Sequence, residues 1–219
     1  MLPSDMLQQN TQRVIQQTLG LSPPWGLLYE FTDKLYSSCH DAERLICPKT
    51  VTDRFLEIYI GPTESKRNFG SKTSAASTPK ERKLSLSDYE ITDHENPSPT
   101  DGREIITALI GHIEVNGQSF WTQGIGNGAI GCLNESLLHS IGLVVEILEI
   151  ETTYIEHDSA INLKLVEDGL VSGKAIISYV RCSDVTSCTA WGIGIDENGV
   201  RASMKALLQV ATTVSSFQG

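Results

Sequence analysis

Long apolar runs and positive charge are scarce in this sequence of 219 residues. No apolar run reaches the roughly 18 residues of a membrane-spanning helix, and residues 1–20 lack the apolar core of a secretory signal, so we expect a cytoplasmic protein. Lys and Arg number 17 against 27 Asp and Glu, and residues 104–219 carry -8 of the net charge of -10 (5 basic, 13 acidic). Because acidic surfaces repel phosphates, we expect neither nucleic acid nor a membrane as a partner.

Patterns that bind metals, cofactors or disulfide frameworks are also missing. The five cysteines are odd in number and lack CxxC spacing, which favours reduced thiols over a zinc ribbon or a disulfide framework. Cys182 and Cys188 flank a predicted hairpin turn, and a regulatory disulfide between them is the alternative. No histidine has HxH or HExxH spacing, and GxSxG, Walker and GxGxxG motifs are absent, so we expect no metal and no cofactor.

Residues 1–60 have helical periodicity and are predicted to form a small helical subdomain. One apolar stripe of this segment consists of Trp25, Leu28, Phe31 and Leu35. Thr50 with Asp53 resembles a capping box and predicts the start of a further helix. Residues 61–85 are rich in Ser, Thr and Lys and have little to bury, so they are predicted to be a disordered linker.

Strand patterns begin near residue 86. The predicted strands are 86–92, 105–115, 118–124, 143–154, 174–181 and 189–195. A type I′ hairpin turn is predicted at Asn116 and Gly117, and a long acidic connection is predicted after residue 154. Twice, a strand with Trp and glycines leads into a helix at Asn-Gly, at 121–128 and at 191–199. We therefore predict that 86–219 is an α+β domain of two β-β-β-α repeats, 86–142 and 143–216.

Few residues are candidates for chemistry. The glycine-rich run 124–128 (GIGNG) is typical of a tight corner, although free N–H groups at a helix N-terminus also suit the carboxylate of an amino acid. Glu151 shares one side of a predicted strand with Glu149, which favours a solvated face. Glu156, His157 and Asp158 offer a general base with its orienting group, a pattern that adjacent loop residues also form by chance.

Three segments resemble the C-terminal regulatory domain of 2-isopropylmalate synthase of the fungal type. They are residues 124–133 (GIGNGAIGCL), 154–157 (YIEH) and 190–194 (AWGIG), which are similar to the family's GxGNGPxxxLxxAL, Y-x-EH and WGVG motifs. Residues 20–31 (GLSPPWGLLYEF) resemble the GLDLPRxLQxEF segment that joins the catalytic barrel to that domain. The resemblance covers nearly the whole chain except the linker.

The resemblance implies a domain that binds leucine between its two β-β-β-α units at a dimer interface and so mediates feedback inhibition. The effector-binding residues that it implies are Gly126, Gly128, Ile130, Gly131, Tyr154, Asp158 and Gly173. It implies a homodimer, or a heterodimer with a full-length synthase. Since no sequence precedes Met1 to hold the family's barrel and metal site, and a barrel needs about 250 residues, we expect a stand-alone module without synthase activity.

The sequence does not determine the identity of the ligand. Glu151 and Asp158 stand where the family has apolar or small residues, and a carboxylate in an apolar pocket costs several kcal/mol unless it is paired. A second hypothesis is therefore a repurposed enzyme, in which Glu151, Glu156, His157 or Asp158 supplies acid–base chemistry in the former effector cavity. A third is a fragment or degenerate paralogue that binds no ligand.

Overall fold

The computed structural model describes residues 4–37, 47–60, 84–98 and 102–215. It confirms the α+β class, because N-terminal helices precede two three-stranded antiparallel sheets with helices packed on them. The helices are α1 Ser4–Leu19, α2 Trp25–Ser37, α3 Pro48–Phe55, α4 Gly128–Ile141, α5 Ala160–Glu167 and α6 Gly199–Ser215. The strands are β1 Leu84–Ser98, β2 Gly102–Val115, β3 Gln118–Gly126, β4 Glu146–Tyr154, β5 Ile176–Ser183 and β6 Thr189–Asp196. Of the helices described, none is both long enough and apolar enough to cross a membrane.

The N-terminal helices pack around a cluster of aromatic rings. The ring centroid of Phe31 on α2 lies 5.3 Å from that of Phe55 on α3 and 6.1 Å from that of Tyr59 in the π-helical turn that follows. α3 begins at Pro48 with Cys47 as its N-cap, so the predicted start at Thr50 is wrong. Proline suits the first turn of a helix because the N–H that it lacks would have no partner there.

The first sheet has the order β1-β2-β3. Its second hairpin turns at Asn116 and Gly117, whose φ angles of 53° and 83° confirm the predicted type I′ turn. β1 is longer than predicted, since it begins at Leu84, inside the predicted linker, and continues to Ser98. The rest of that linker, 61–83, lies outside the described residues.

The second sheet has the order β4-β5-β6. Its first strand begins at Glu146, three residues later than predicted, because 142–145 connect it to α4 without regular structure. The predicted acidic connection after β4 contains α5, which the sequence analysis missed, so the second repeat is β-α-β-β-α. Ser159 is the N-cap of α5, and its Oγ accepts a hydrogen bond of 3.2 Å from the backbone N–H of Asn162.

Both repeats pack their last helix against their last strand through glycine. A Cβ on Gly124 would collide with the carbonyl oxygen of Cys132 on α4, and one on Gly192 with that of Ala206 on α6. Only a residue without a side chain allows these approaches. The buried core beneath the sheets includes Leu109, Ile113, Leu133, Leu137, Val180, Met204, Leu207 and Val214.

The described residues form two compact units. One, here called the helical unit, contains the described residues of Met1–Ser74 and Glu151–Ile177. The other, the sheet unit, contains those of Ala75–Ile150 and Ser178–Gly219. Residues 151–177 thus group with the N-terminal helices, although the sequence analysis assigned them to the second repeat. The predicted domain boundaries 1–60, 61–85 and 86–219 stay predictions.

Candidate functional site

The start of α4 is a glycine-rich corner that cannot tolerate a larger residue at one position. A Cβ on Gly126 would lie 2.8 Å from the carbonyl carbon of Gly131 and 2.9 Å from the backbone nitrogen of Cys132. Gly128 has a φ of 75° and opens α4, with Asn127 before it as the N-cap. The structure therefore brings Gly126, Gly128 and Gly131 together at one helix end.

Two side chains of α4 make hydrogen bonds that hold this corner in place. The thiol of Cys132 donates a hydrogen bond of 2.8 Å to the carbonyl oxygen of Thr107 on β2, and burial raises the pKa of this thiol. The carboxylate of Glu135 accepts a hydrogen bond from the backbone N–H of Ile125. The turn between β3 and α4 is thus fixed by hydrogen bonds of Cys132 and Glu135.

The N-terminus of α4 has no side-chain cap. The side chain of Asn127 makes no capping hydrogen bond, and a Cβ built on Gly128 would meet no atom within 4 Å. The first N–H groups of a helix have no partner within the helix, and they carry the positive end of its dipole. The start of α4 can therefore accept a small anion such as a carboxylate.

The start of α6, at the equivalent point of the second repeat, has a side-chain cap. The side-chain oxygen of Asn198 accepts a hydrogen bond of 3.1 Å from the backbone N–H of Arg201. Asp196 contacts Arg201 at 3.1 Å and Lys205 at 2.8 Å. Burial acts to raise the pKa of Asp196, but the hydrogen bonds from Lys205 and the backbone of Asn198 outweigh it and leave the pKa lowered.

Residues 154–158, in the helical unit, form an exposed segment anchored at one buried residue. Ile155 is 1% exposed, and its N–H donates a hydrogen bond of 2.9 Å to the carbonyl oxygen of Ala175. Tyr154 is 64% exposed, and the ammonium of Lys174 lies 4.1 Å from the centroid of its ring. Gly173 precedes Lys174 directly, so this segment and Gly173 lie on neighbouring stretches of chain.

The acid–base candidates are not enclosed. The side chains of Glu151, Glu156, His157 and Asp158 are all exposed. In the part of the chain that the structure describes, no three His, Cys, Asp or Glu residues are grouped as a metal site would need. The repurposed-enzyme hypothesis needs these carboxylates to line a cavity, and their exposure gives it no support.

The alternative of a disulfide between Cys182 and Cys188 is not what the structure has, because both cysteines are free, as the reduced-thiol interpretation predicts. Cys188 lies opposite Asp184, to which its carbonyl is joined by a hydrogen bond of 3.0 Å, and it is exposed. Cys182 is buried, and the loss of solvent raises the pKa of its thiol to about 12. The turn is organised instead by the Asp184 carboxylate, which accepts hydrogen bonds from Thr186 and from the N–H of Cys188.

Asn162 is the residue of this region that sequence reasoning missed. It is fully buried on α5, and its side-chain amide joins the carbonyl of His157 to the N–H of Ala175. The signal in the sequence was Ser159 followed three residues later by Asn162, a helix start of the kind that Ser marks as N-cap. The apolar pattern of α5 is too short to predict a helix, so Asn162 was not recognised as a buried residue.

Comparison with known proteins gives a distant but consistent relationship. No family model matches the sequence. The chain is 25% identical over 201 residues to the 2-isopropylmalate synthase of Rhizobium johnstonii, covering 92% of this chain and 29% of that protein. It is 28% identical over 189 residues to the 2-isopropylmalate synthase of Mycobacterium leprae, covering 86% of this chain and 25% of that protein. It is 22% identical over 202 residues to the mitochondrial 2-isopropylmalate synthase 2 of Saccharomyces cerevisiae, covering 92% of this chain and 28% of that protein.

The chain is distantly related to a portion of 2-isopropylmalate synthase. It spans between a quarter and a third of the length of these synthases. The resemblance inferred from the motifs is confirmed to that extent. That the shared portion binds an effector, through Gly126, Gly128, Ile130 and Gly131 or through Tyr154, Asp158 and Gly173, stays a prediction.

Proposed function

We propose that this chain is a regulatory region that senses leucine or a related small acid, in the manner of the synthase domain that its motifs resemble. The observation that carries the proposal is the open N-terminus of α4, where a GIGNG corner leaves the first N–H groups of the helix without a side-chain cap. The relationship to 2-isopropylmalate synthases over 86% to 92% of the chain supports it and places the region in the context of leucine biosynthesis.

The chemistry of an amino acid suits this helix end. A carboxylate can accept hydrogen bonds from the free N–H groups of α4 and is favoured by the helix dipole. Ile130, in the first turn, is half-buried and offers apolar surface to a branched side chain. Tyr154, Asp158 and Gly173, in the helical unit, are further candidates for effector contacts on the strength of the family resemblance alone.

Isothermal titration with L-leucine tests the proposal, with Ala129→Asp as the informative variant. Ala129 is the second residue of α4, and a carboxylate there competes for the free N–H groups while it stabilises the helix N-terminus. We expect this variant to weaken leucine binding about tenfold or more.

Val200→Asp is the control for charge at a helix start, because Val200 is the second residue of α6; it is 47% exposed, whereas Ala129 is partly buried, so thermal unfolding of both variants accompanies the titration. It places the same charge at a helix start that already has a side-chain cap, so leucine binding is expected to stay at the wild-type level. An absence of heat with millimolar leucine in the wild type refutes leucine as the ligand, and a panel of other small amino acids and 2-oxo acids then decides whether any small acid binds.

We also propose that the region forms a dimer, either with a second copy or with a full-length synthase. Support comes from the outer face of the first sheet, opposite α4, where Ile110, Trp121 and Ile125 are 50%, 59% and 62% exposed. Neighbouring exposed apolar side chains of this size are typical of interaction surfaces. Light scattering of the wild type and of Trp121→Glu tests this, since a charge in the face is expected to produce monomers. A monomeric wild type that also fails to co-purify with a co-expressed synthase contradicts it.

A further inference from the structure

We propose that Asn162 is a positioning residue, whose buried amide fixes residues 154–158 against residues 173–175 and thereby sets effector affinity. The affinity part rests on the proposed function, because Tyr154, Asp158 and Gly173 are effector candidates only within it. The positional part rests on hydrogen bonds of the helical unit alone.

The two segments are joined by three hydrogen bonds, and Asn162 makes two of them. The N–H of Ile155 donates to the carbonyl of Ala175 at 2.9 Å, which is a direct backbone link. The Nδ2 of Asn162 donates to the carbonyl of His157 at 3.0 Å, and its Oδ1 accepts from the N–H of Ala175 at 3.3 Å. Both polar backbone groups of Ala175 are therefore engaged, the carbonyl by the N–H of Ile155 and the N–H by Asn162.

Burial makes these bonds consequential. Asn162 is 0% exposed, and Ile155 and Ala175 are 1% and 0% exposed, so a backbone group that loses its partner here cannot turn to bulk water. A neutral amide is the side chain that can donate on one side and accept on the other. An apolar residue of similar volume would fill the space, break the bond to the His157 carbonyl and leave the buried N–H of Ala175 unsatisfied.

The position of Asn162 is itself fixed from the main chain. Its backbone N–H donates to Ser159 Oγ, the cap of α5, and Ser159 packs against Gly20, where an added Cβ would collide with the Ser159 side chain. α5 has only eight residues, and so short a helix depends on such contacts for its stability. The side-chain amide of Asn162 is therefore held in place by the start of α5.

The exposed part of the segment follows from this geometry. Tyr154 directly precedes Ile155, and Asp158 directly follows His157, and the backbone groups of Ile155 and His157 are both hydrogen-bonded. The side chains of Tyr154 and Asp158 are exposed. Lys174, next to Ala175, lies over the Tyr154 ring. A shift between the two segments would therefore move the side chains of Tyr154 and Asp158 relative to Lys174.

Hydrogen exchange and leucine titration of two variants test the inference. Asn162→Leu removes both side-chain bonds, and we expect amide exchange at Ile155 and Ala175 to rise about tenfold, with weaker leucine binding. Asn162→Asp keeps the acceptor for Ala175 but places an ionised oxygen against the His157 carbonyl, so it is expected to weaken binding at neutral pH. Protonation of the introduced carboxyl restores a donor, so its affinity relative to wild type at the same pH is expected to recover in acid, whereas that of Asn162→Leu does not.

Ser203→Ala is the matched control for lost stability. The Ser203 hydroxyl is buried in the sheet unit, shares a hydrogen bond of 2.9 Å with Ser178 and donates one of 3.0 Å to the Gly199 carbonyl, so its removal costs two hydrogen bonds, as Asn162→Leu does, without touching residues 154–175. Its exchange at Ile155 and Ala175 and its leucine affinity are expected to equal those of the wild type.

The possible results separate the two proposals. Unchanged exchange at Ile155 and Ala175 in Asn162→Leu overturns the positioning role, whatever binds. Raised exchange with unaltered leucine affinity overturns its link to the effector but leaves the proposed function standing. Raised exchange in a protein whose wild type binds no leucine supports the positional part and refutes the proposed leucine site.

Discussion

The last strands of the two repeats, β3 and β6, are alike on the face that packs on a helix and different on the other face. Gly124 and Gly192 both lie against a helix carbonyl, so the neighbouring odd-numbered residues of β3 and β6 point to the other side of each sheet. There, Trp121 and Ile125 are 59% and 62% exposed, whereas Trp191 and Ile193 are 4% and 6% exposed. The two strands therefore share one packing arrangement against a helix and differ in the environment of their other face.

The two helix starts differ in the same sense. The second repeat closes its own N-terminus of α6 with Asn198 and surrounds Asp196 with Arg201 and Lys205. The first leaves α4 without a side-chain cap. In both respects β6 and the start of α6 find partners within the chain, whereas β3 and the start of α4 keep apolar surface and hydrogen-bonding groups available. We therefore expect the first repeat to carry the external contacts.

The largest expected difference in stability is between alanine variants of the two tryptophans, Trp191 on β6 and Trp121 on β3. Trp191→Ala is expected to lower the free energy of unfolding by about 3–5 kcal/mol, because a buried indole is lost and the Arg181 guanidinium, 5.9 Å from its ring, loses that neighbour. Trp121→Ala is expected to cost less than about 1 kcal/mol in the monomer. Urea denaturation of both variants measures the difference, and equal losses would contradict the contrast between the two outer faces.

The inner faces should respond equally to a smaller change. Gly124→Ala and Gly192→Ala each push a Cβ into a helix carbonyl, and we expect each to cost about 1–3 kcal/mol. Gly131→Ala is the control, because its Cβ would lie 3.7 Å from its nearest neighbours and alanine favours a helix. Thermal unfolding of the three variants checks this, and a much smaller loss at one of the two strand glycines would show that the repeats are not packed alike.

The shared inner structure was predictable because its signals are local. Gly124, Gly192 and the two Asn-Gly dipeptides mark close approach and helix entry in the sequence itself, and Asn116-Gly117 demands its turn type. The difference between the outer faces was not predictable, since Trp121 and Trp191 stand in nearly the same local pattern. Burial of an outward-facing side chain depends on the rest of the fold, which periodicity within a strand does not report.

The candidate site was predicted in the same uneven way. The glycine corner of α4 followed from its motif, but α5 did not, because eight residues with two buried apolar positions give too little periodicity. Without α5 the buried role of Asn162 could not be inferred. The exposure of Glu156, His157 and Asp158 was equally hidden, since a charged triplet on a loop reads the same whether it lines a cavity or faces solvent.

Removal of the two asparagines at the helix starts should give a smaller but directional difference. Asn198→Ala is expected to cost about 1 kcal/mol, because the backbone N–H of Arg201 loses its acceptor. Asn127→Ala is expected to cost only a few tenths of a kcal/mol, as its side chain makes no capping bond. Chemical denaturation distinguishes the two, and a loss at Asn127 as large as that at Asn198 would mean that α4 is capped in solution.

The smallest effect is electrostatic and appears as a pH dependence. The pKa of Asp196 is lowered in the folded state, so its carboxylate contributes stability above the unfolded pKa of about 4 and loses it as the pH falls through the folded value. Asp196→Asn is therefore expected to lower the free energy of unfolding by up to about 1 kcal/mol at pH 7, with the difference from wild type disappearing in acid. Carbon-detected NMR titration of the carboxyl group measures the pKa directly. A pKa at or above the ordinary value for aspartate would remove the charge contribution from the start of α6, and the contrast with α4 would then rest on the Asn198 cap alone.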